Sequence, residues 1–191
     1  NPKKESFKKE NSLLCAAALT YFFIEILIQK TKSNFKISNF LIYVLLATIC
    51  DVMPLRKINK IIARNTIDNF KIQNNLALNY IFEQYGLRKK LTIDDLGFLI
   101  GPIINSGGRL NSSNYGVELL STDNLEIIKD RSNKLIALNN KRKIIEQNIL
   151  DKIDFEKIKK ENKNVIIYYK ENLNEGLIGI IASRLKDYFN K

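Results

Sequence analysis

Apolar and small residues recur at helical spacing from the start of the chain. Leu13, Ala16, Ala17, Thr20 and Ile24 predict a helix over Ser12 to Gln29, with Ser12 as its cap and a small-residue face, CAAA, suited to close packing. A polar stretch, KTKSNFKISN, follows it. The next run, NFLIYVLLATICDVMPL, is apolar almost throughout and reads as a buried helix that runs into a turn. Pro54 restricts Met53 and stops the helix there. Asp51 therefore falls at the end of an apolar element, just before a break. INKIIARNTIDNF leads to another helical stretch, Asn74 to Tyr85, ended by Gly86. Thr92, Asp94 and Asp95 open a short helix through Ile100. A glycine-rich loop follows, and then a short helix over Asn114 to Leu120.

Asp123 and Glu126 have the spacing of a capping box. From there Ile128, Leu135, Leu138, Ile145, Ile149 and Ile153 form one stripe. A helix unbroken from Asp123 to about Lys160 would be roughly 55 Å long. The stripe is too irregular for a long coiled coil, which favours a rigid connector between domains. The pattern then changes period. NVIIYY (Asn164 to Tyr169) predicts a strand, KENLNEG a loop, and LIGIIASRLKDYF an apolar helix opening beside Gly176 and Gly179. Strand, glycine loop and helix together open an α/β domain. The expected fold class is α/β: a helix-rich first part, a long connector, and the start of a second α/β domain. No internal repeat is visible.

Composition narrows the chemistry. The chain has 191 residues and no histidine. A His/Cys zinc site and a Ser-His triad are excluded, so metal chemistry must rest on carboxylates, hence Mg²⁺ or Mn²⁺. Cys15 and Cys50 lie inside apolar runs and read as small buried hydrophobes in a reducing, cytoplasmic compartment. No signal peptide opens the chain, and its apolar runs suit a soluble core rather than a membrane span. The net charge of +11 suits a polyanion such as nucleic acid. The charge is spread over the chain, however, and fits a lysine-rich base composition equally well.

One stretch stands out against that background. Five of the eight glycines fall between Gly97 and Gly116, and Arg109 is the one basic residue there. Arginine is the minor choice in this chain, which has 7 Arg among its 31 basic residues. Glycines at 107 and 108 would let backbone N–H groups approach an anion, Arg109 offers a planar bidentate donor for a phosphate, and Asn105 can orient the loop or touch a nucleic-acid backbone. A plain inter-helix loop, with the arginine on a carbonyl cluster, is the competing reading. Near the other end, Gly176 and Gly179 precede a helix whose N-terminus suits phosphate. Tight helix–strand packing explains them equally well.

Several segments, ATICDVMPL, GFLIGPIINSGGRL, VELL, ALNNKRKIIEQNI and NEGLIGIIASRL, occur in an order that resembles the RecJ family of single-stranded-DNA-specific exonucleases, within the DHH phosphoesterases. The opening NPKK resembles the stretch that follows that family's Asp-His-His motif. The resemblance implies a layout. Residues 1–122 would be the C-terminal part of the DHH catalytic domain, 123–162 the connecting helix, and 163–191 the truncated start of the DHH-associated domain, with the Asp-His-His motif before Asn1. It implies that Asp51, at the family's T-x-A-D position with Cys50 in place of Ala, is a catalytic metal ligand for Mn²⁺ or Mg²⁺. It also implies phosphate contacts at Asn105, Gly107, Gly108, Arg109, Asn174, Gly176 and Arg184. The implied activity is 5′-to-3′ degradation of single-stranded DNA in repair and recombination, by a monomer. The family usually carries His where this chain has Asn174, often Trp at Leu173, and commonly Arg at Ile103. A DHH phosphoesterase acting on short oligonucleotides or cyclic dinucleotides, or a non-catalytic DNA-binding relative, are the alternatives.

Overall fold

The computed structural model describes residues 13–110, 112–161 and 164–189. They form a helical architecture that divides into two compact units, with the boundary after Pro102.

The first unit contains α1 (Ala16–Thr31), α2 (Leu41–Cys50), α3 (Lys57–Asn69), α4 (Leu76–Gln84) and a π-helical turn over Asp95–Ile100. α1 begins later than the apolar pattern suggests. Cys15 holds its N-cap position without a side-chain cap, and Ser12 lies outside the described residues. α2 is the centre of this unit and packs against α1, α3 and the π turn. Its Ile42, Val44, Leu45 and Leu46 are buried, as are Leu78, Ile81 and Phe82 of α4. Each such side chain contributes about 1.5–3 kcal/mol when removed from water. Asn75 caps α4 by accepting from the Leu78 N–H at 2.9 Å, and Gly86 closes it in the left-handed region at φ +64°.

The second unit contains most of α5 (Gly101–Arg109), together with α6 (Asn114–Leu120), α7 (Leu125–Leu150), α8 (Phe155–Glu161) and α9 (Glu175–Phe189). Four expectations are corrected here. The glycine-rich stretch forms helix, not loop. Its buried face is Ile103, Ser106 and Gly107, and the Ser106 hydroxyl lies 2.6 Å from the Ile103 carbonyl and 3.0 Å from that of Leu135. The long helix breaks at Asp151–Asp154 into α7 and α8. It is capped by Asn124, whose side chain accepts from the Glu126 and Ile127 N–H groups, rather than by Asp123. The segment Asn164–Tyr169 forms no strand, and none occurs among the described residues. It keeps the period-two alternation of one: Ile166 and Tyr168 pack on the core of Ile149, Ile153, Leu177, Ile181 and Leu185, while Val165, Ile167 and Tyr169 face solvent. A strand needs a ladder partner as well as a pattern.

Candidate nucleic-acid interface

α5 divides its residues sharply between two faces. Asn105 and Gly108 are exposed and Arg109 is half-buried, at i, i+3 and i+4. On the opposite face, a Cβ at Gly107 would meet the Ser112 carbonyl oxygen at 2.6 Å and Leu135 at 3.0 Å, so this glycine is required by packing. A Cβ at Gly108 would have nothing within 4 Å. Packing therefore leaves unexplained a helical glycine that costs about 0.5–1 kcal/mol relative to alanine.

Arg109 is half-buried, and its Nη1 donates to the Gly176 carbonyl at 2.9 Å. The two backbones touch at this point: a Cβ on Gly176 would lie 2.4 Å from the Arg109 carbonyl oxygen. Gly176 thus allows the start of α9 to seat on the end of α5, and tight packing accounts for it. Asn174 caps α9, its side chain accepting from the Gly176 N–H at 2.9 Å.

Arg184 lies two turns further along α9. Together with Arg109, Gly179, Ile180, Ser183 and Asp187 it lines a shallow pocket of about 300 Å³. The tertiary structure thus brings Arg109 and Arg184, 75 residues apart in sequence (109 to 184), to one depression, with Gly176 packed against Arg109. Arg184 Nε donates at 2.9 Å to Glu146 of α7, a residue the sequence reading passed over because it adjoins an apolar stripe.

Asp51 belongs to the first unit. It is exposed at the C-cap of α2. The next residue, Val52, has φ +53° and is 86% exposed. The Val52 N–H donates to Ile49 and the Met53 N–H to Thr48, each at 3.0 Å. This is the Schellman closure, with a β-branched residue at the position where glycine is usual. The same closure after α4 uses Gly86. A left-handed valine is a strained backbone feature, and such strain concentrates at functional sites. A carboxylate beside the negative end of a helix dipole is also unfavourable unless a cation compensates it. Among the described residues no group of three or more Cys, Asp and Glu side chains is placed to hold a metal. Asp51 is thus a chemically suitable ligand for a hard divalent cation, but one of about six that such an ion takes.

Close helix packing explains most of the remaining glycines. A Cβ at Gly97 would meet Ile49 at 3.2 Å, and one at Gly101 would meet Cys50 Sγ at 2.7 Å. Cys15 is buried and Cys50 half-buried, and the two form no disulfide. No described helix is long and apolar enough to cross a membrane.

No family model matches the chain. It is 31% identical over 186 residues to the single-stranded-DNA-specific exonuclease RecJ of Haemophilus influenzae, a match covering 94% of this chain and 32% of that protein. It is 32% identical over 155 residues to RecJ of Escherichia coli, covering 78% and 27%. A crystal structure of exonuclease RecJ bound to manganese superposes with a TM-score of 0.77 at 20% identity, covering 99% of this chain and 47% of that one. RecJ of Thermus thermophilus, solved with Mn²⁺, gives a TM-score of 0.63 at 24% identity over 76% of this chain. The chain spans 32% and 27% of the lengths of these two curated relatives. In sequence and in fold, this chain is RecJ-like.

Proposed function

We propose that the chain forms part of a metal-dependent 5′-to-3′ exonuclease acting on single-stranded DNA in repair and recombination, and that it grips the phosphate backbone where α5 meets α9. One observation carries the reading: Arg109 and Arg184 line the same pocket, beside an α5 face bearing Asn105 and a Gly108 that packing does not require. Two guanidinium groups present planar N–H forks that match phosphate oxygens. The relatives' own specificity for single-stranded DNA supports the choice of substrate.

In this reading residues 1–122 are the C-terminal part of a DHH catalytic domain, 123–162 the connection and 163–191 the start of the DHH-associated domain. Asp51 supplies one ligand to a Mn²⁺ or Mg²⁺ site. A bound ion of that kind activates water and neutralises charge developing on the phosphate. The chain's own part is to hold and orient the strand. Asn105 and the open backbone at Gly108 admit it, and the two arginines fix a phosphate. Asn174 and Gly176 act through the seating of α9. The enzyme is a cytoplasmic monomer in this reading.

The test is titration of the 191-residue chain with a labelled oligothymidylate, beside its Arg109→Ala/Arg184→Ala double variant. The wild type is expected to bind and the double variant to lose about a hundredfold or more in affinity, the loss of two charge-assisted contacts. Equal affinity of the two proteins, both folded, would refute the assignment.

A further inference from the structure

Glu146 is a carboxylate buried in a helical unit, its side chain 8% exposed. Burial of an ionised carboxylate is costly unless it is paired and hydrogen-bonded. Here both oxygens are used. Oε2 accepts from Arg142 Nη1 and Oε1 from Arg184 Nε, each at 2.9 Å. Arg142 is itself fixed, since its Nε donates to Asn139 Oδ1 at 3.2 Å and its side chain is only 12% exposed. That one arginine, on the same helix, already neutralises the carboxylate. The second differs: Arg184 comes from α9, is 61% exposed, and lines the pocket with Arg109.

We propose that Glu146 is a positioning residue that aims Arg184 into the phosphate pocket. The inference rests on the phosphate reading above and deepens it. A long exposed arginine samples many rotamers, and ordering it at the moment of binding costs affinity. Glu146 orders it beforehand. The bond uses Nε–H alone and leaves the Nη donors for a further acceptor. Two guanidinium groups on one carboxylate leave a net charge of +1 at the cluster, so the anchor does not cancel the attraction for an anion, and Arg109 offsets Asp187, the other charged residue lining the pocket. The carboxylate that performs this is held through its other oxygen by Arg142, which Asn139 holds in turn.

The expected consequence is specific. Glu146→Gln keeps the volume and one acceptor oxygen but loses the charge. It should weaken oligothymidylate binding by roughly three- to tenfold, the part of a charge-assisted bond above a neutral one. In an Arg184→Ala background the same change should cost nothing further, because there is no Arg184 left to aim. A second readout does not involve DNA. In ¹⁵N NMR of the free chain, the Arg184 Nε–H should be protected from solvent exchange in the wild type and lose that protection in Glu146→Gln. Unchanged or tighter binding by Glu146→Gln, or an equal loss in both backgrounds, would overturn the positioning role, as would an Arg184 Nε–H signal indifferent to the substitution. If Arg184→Ala binds weakly while Glu146→Gln binds normally, only the Glu146 inference falls. If Arg184→Ala binds as the wild type does, the phosphate reading falls and the Glu146 role with it.

Discussion

Arg109 carries two tasks that substitutions separate. Its bond to the Gly176 carbonyl is structural, and losing it should cost about 0.5–1.5 kcal/mol of stability. The proposed phosphate contact is separate and larger. Arg109→Ala should lower oligothymidylate affinity on the order of tenfold to a hundredfold, measured well below the melting temperature. Arg109→Lys should lose most of that too, because an ammonium cannot present a planar fork. Normal binding by both variants, with early melting, would make Arg109 a packing residue only. Asp51 and Val52 behave in the opposite sense. Asp51→Asn removes a charge from the negative end of α2 and should raise stability by about 0.3–1 kcal/mol. In an enzyme containing this chain it should nearly abolish turnover, measured against Mn²⁺ concentration. Val52→Gly relieves a left-handed valine and should stabilise by about 1 kcal/mol in thermal unfolding. An Asp51→Asn variant that melts earlier and turns over normally would return this turn to a purely structural role.

Helix termini and helix contacts carry the next predictions. Gly101 and Gly108 sit within one segment and should respond oppositely to alanine. At Gly101 the added carbon lies 2.7 Å from Cys50 Sγ and 2.8 Å from the Leu96 carbonyl oxygen, so Gly101→Ala should destabilise by about 1–3 kcal/mol. At Gly108 the space is open, and Gly108→Ala should stabilise by about 0.5–1 kcal/mol while weakening DNA binding. Calorimetry beside an affinity titration checks both, and unchanged DNA affinity in Gly108→Ala would remove Gly108 from the interface. The π turn is opened by a reciprocal cap. The Thr92 N–H donates to Asp95 Oδ2 at 2.9 Å and the Thr92 hydroxyl to the same atom at 2.7 Å, while the Asp95 N–H donates back to Thr92 Oγ1 at 3.2 Å. Burial pushes the Asp95 carboxyl upward, but the bonds from Lys89 and Thr92 outweigh it and hold it below the ordinary carboxylate value. A depressed carboxylate contributes stability above its unfolded pKa of about 3.9 and loses it as pH falls through the lower folded value. The melting temperature should therefore fall on acidification below about pH 4, and Asp95→Asn should abolish that component while losing about 0.5–2 kcal/mol at neutral pH. Parallel pH profiles for the two proteins would contradict the cap.

At the scale of the whole molecule, electrostatics decides how binding responds to salt. The net charge of +11 attracts any polyanion, and each neutralised phosphate steepens the salt dependence of affinity by roughly 0.7 logarithmic units for a single strand. A diffuse lysine field and a defined arginine site differ in what one substitution does. Arg109→Ala should make the slope shallower by about that one increment, whereas removal of an exposed lysine that does not line the pocket, such as Lys32, should not change affinity at fixed salt beyond the general field. An equal loss from both variants would mean that charge is read in bulk and that the pocket is not a site.

Much of this molecule is legible along the chain. The buried run of α2, the break at Pro54 and the stop at Gly86 are local: period, ring geometry and left-handed backbone are properties of neighbouring residues. So is the placement of Asp51 at a helix end. The glycine cluster was misleading for the same reason. Glycine between Gly101 and Gly108 reads locally as loop, yet Gly101 and Gly107 lie in a helix where no room is left for a Cβ, and among the atoms that crowd them Cys50 and Leu135 are distant in sequence. The break after Leu150 and the unpaired Val165–Tyr169 likewise depend on what lies beside them, not on their own pattern. Glu146 shows the limit most clearly. In sequence it is one charged residue beside an apolar stripe. Only the packing of α9 on α7 buries it, sets Arg184 against its second oxygen, and makes a surface arginine into a held one.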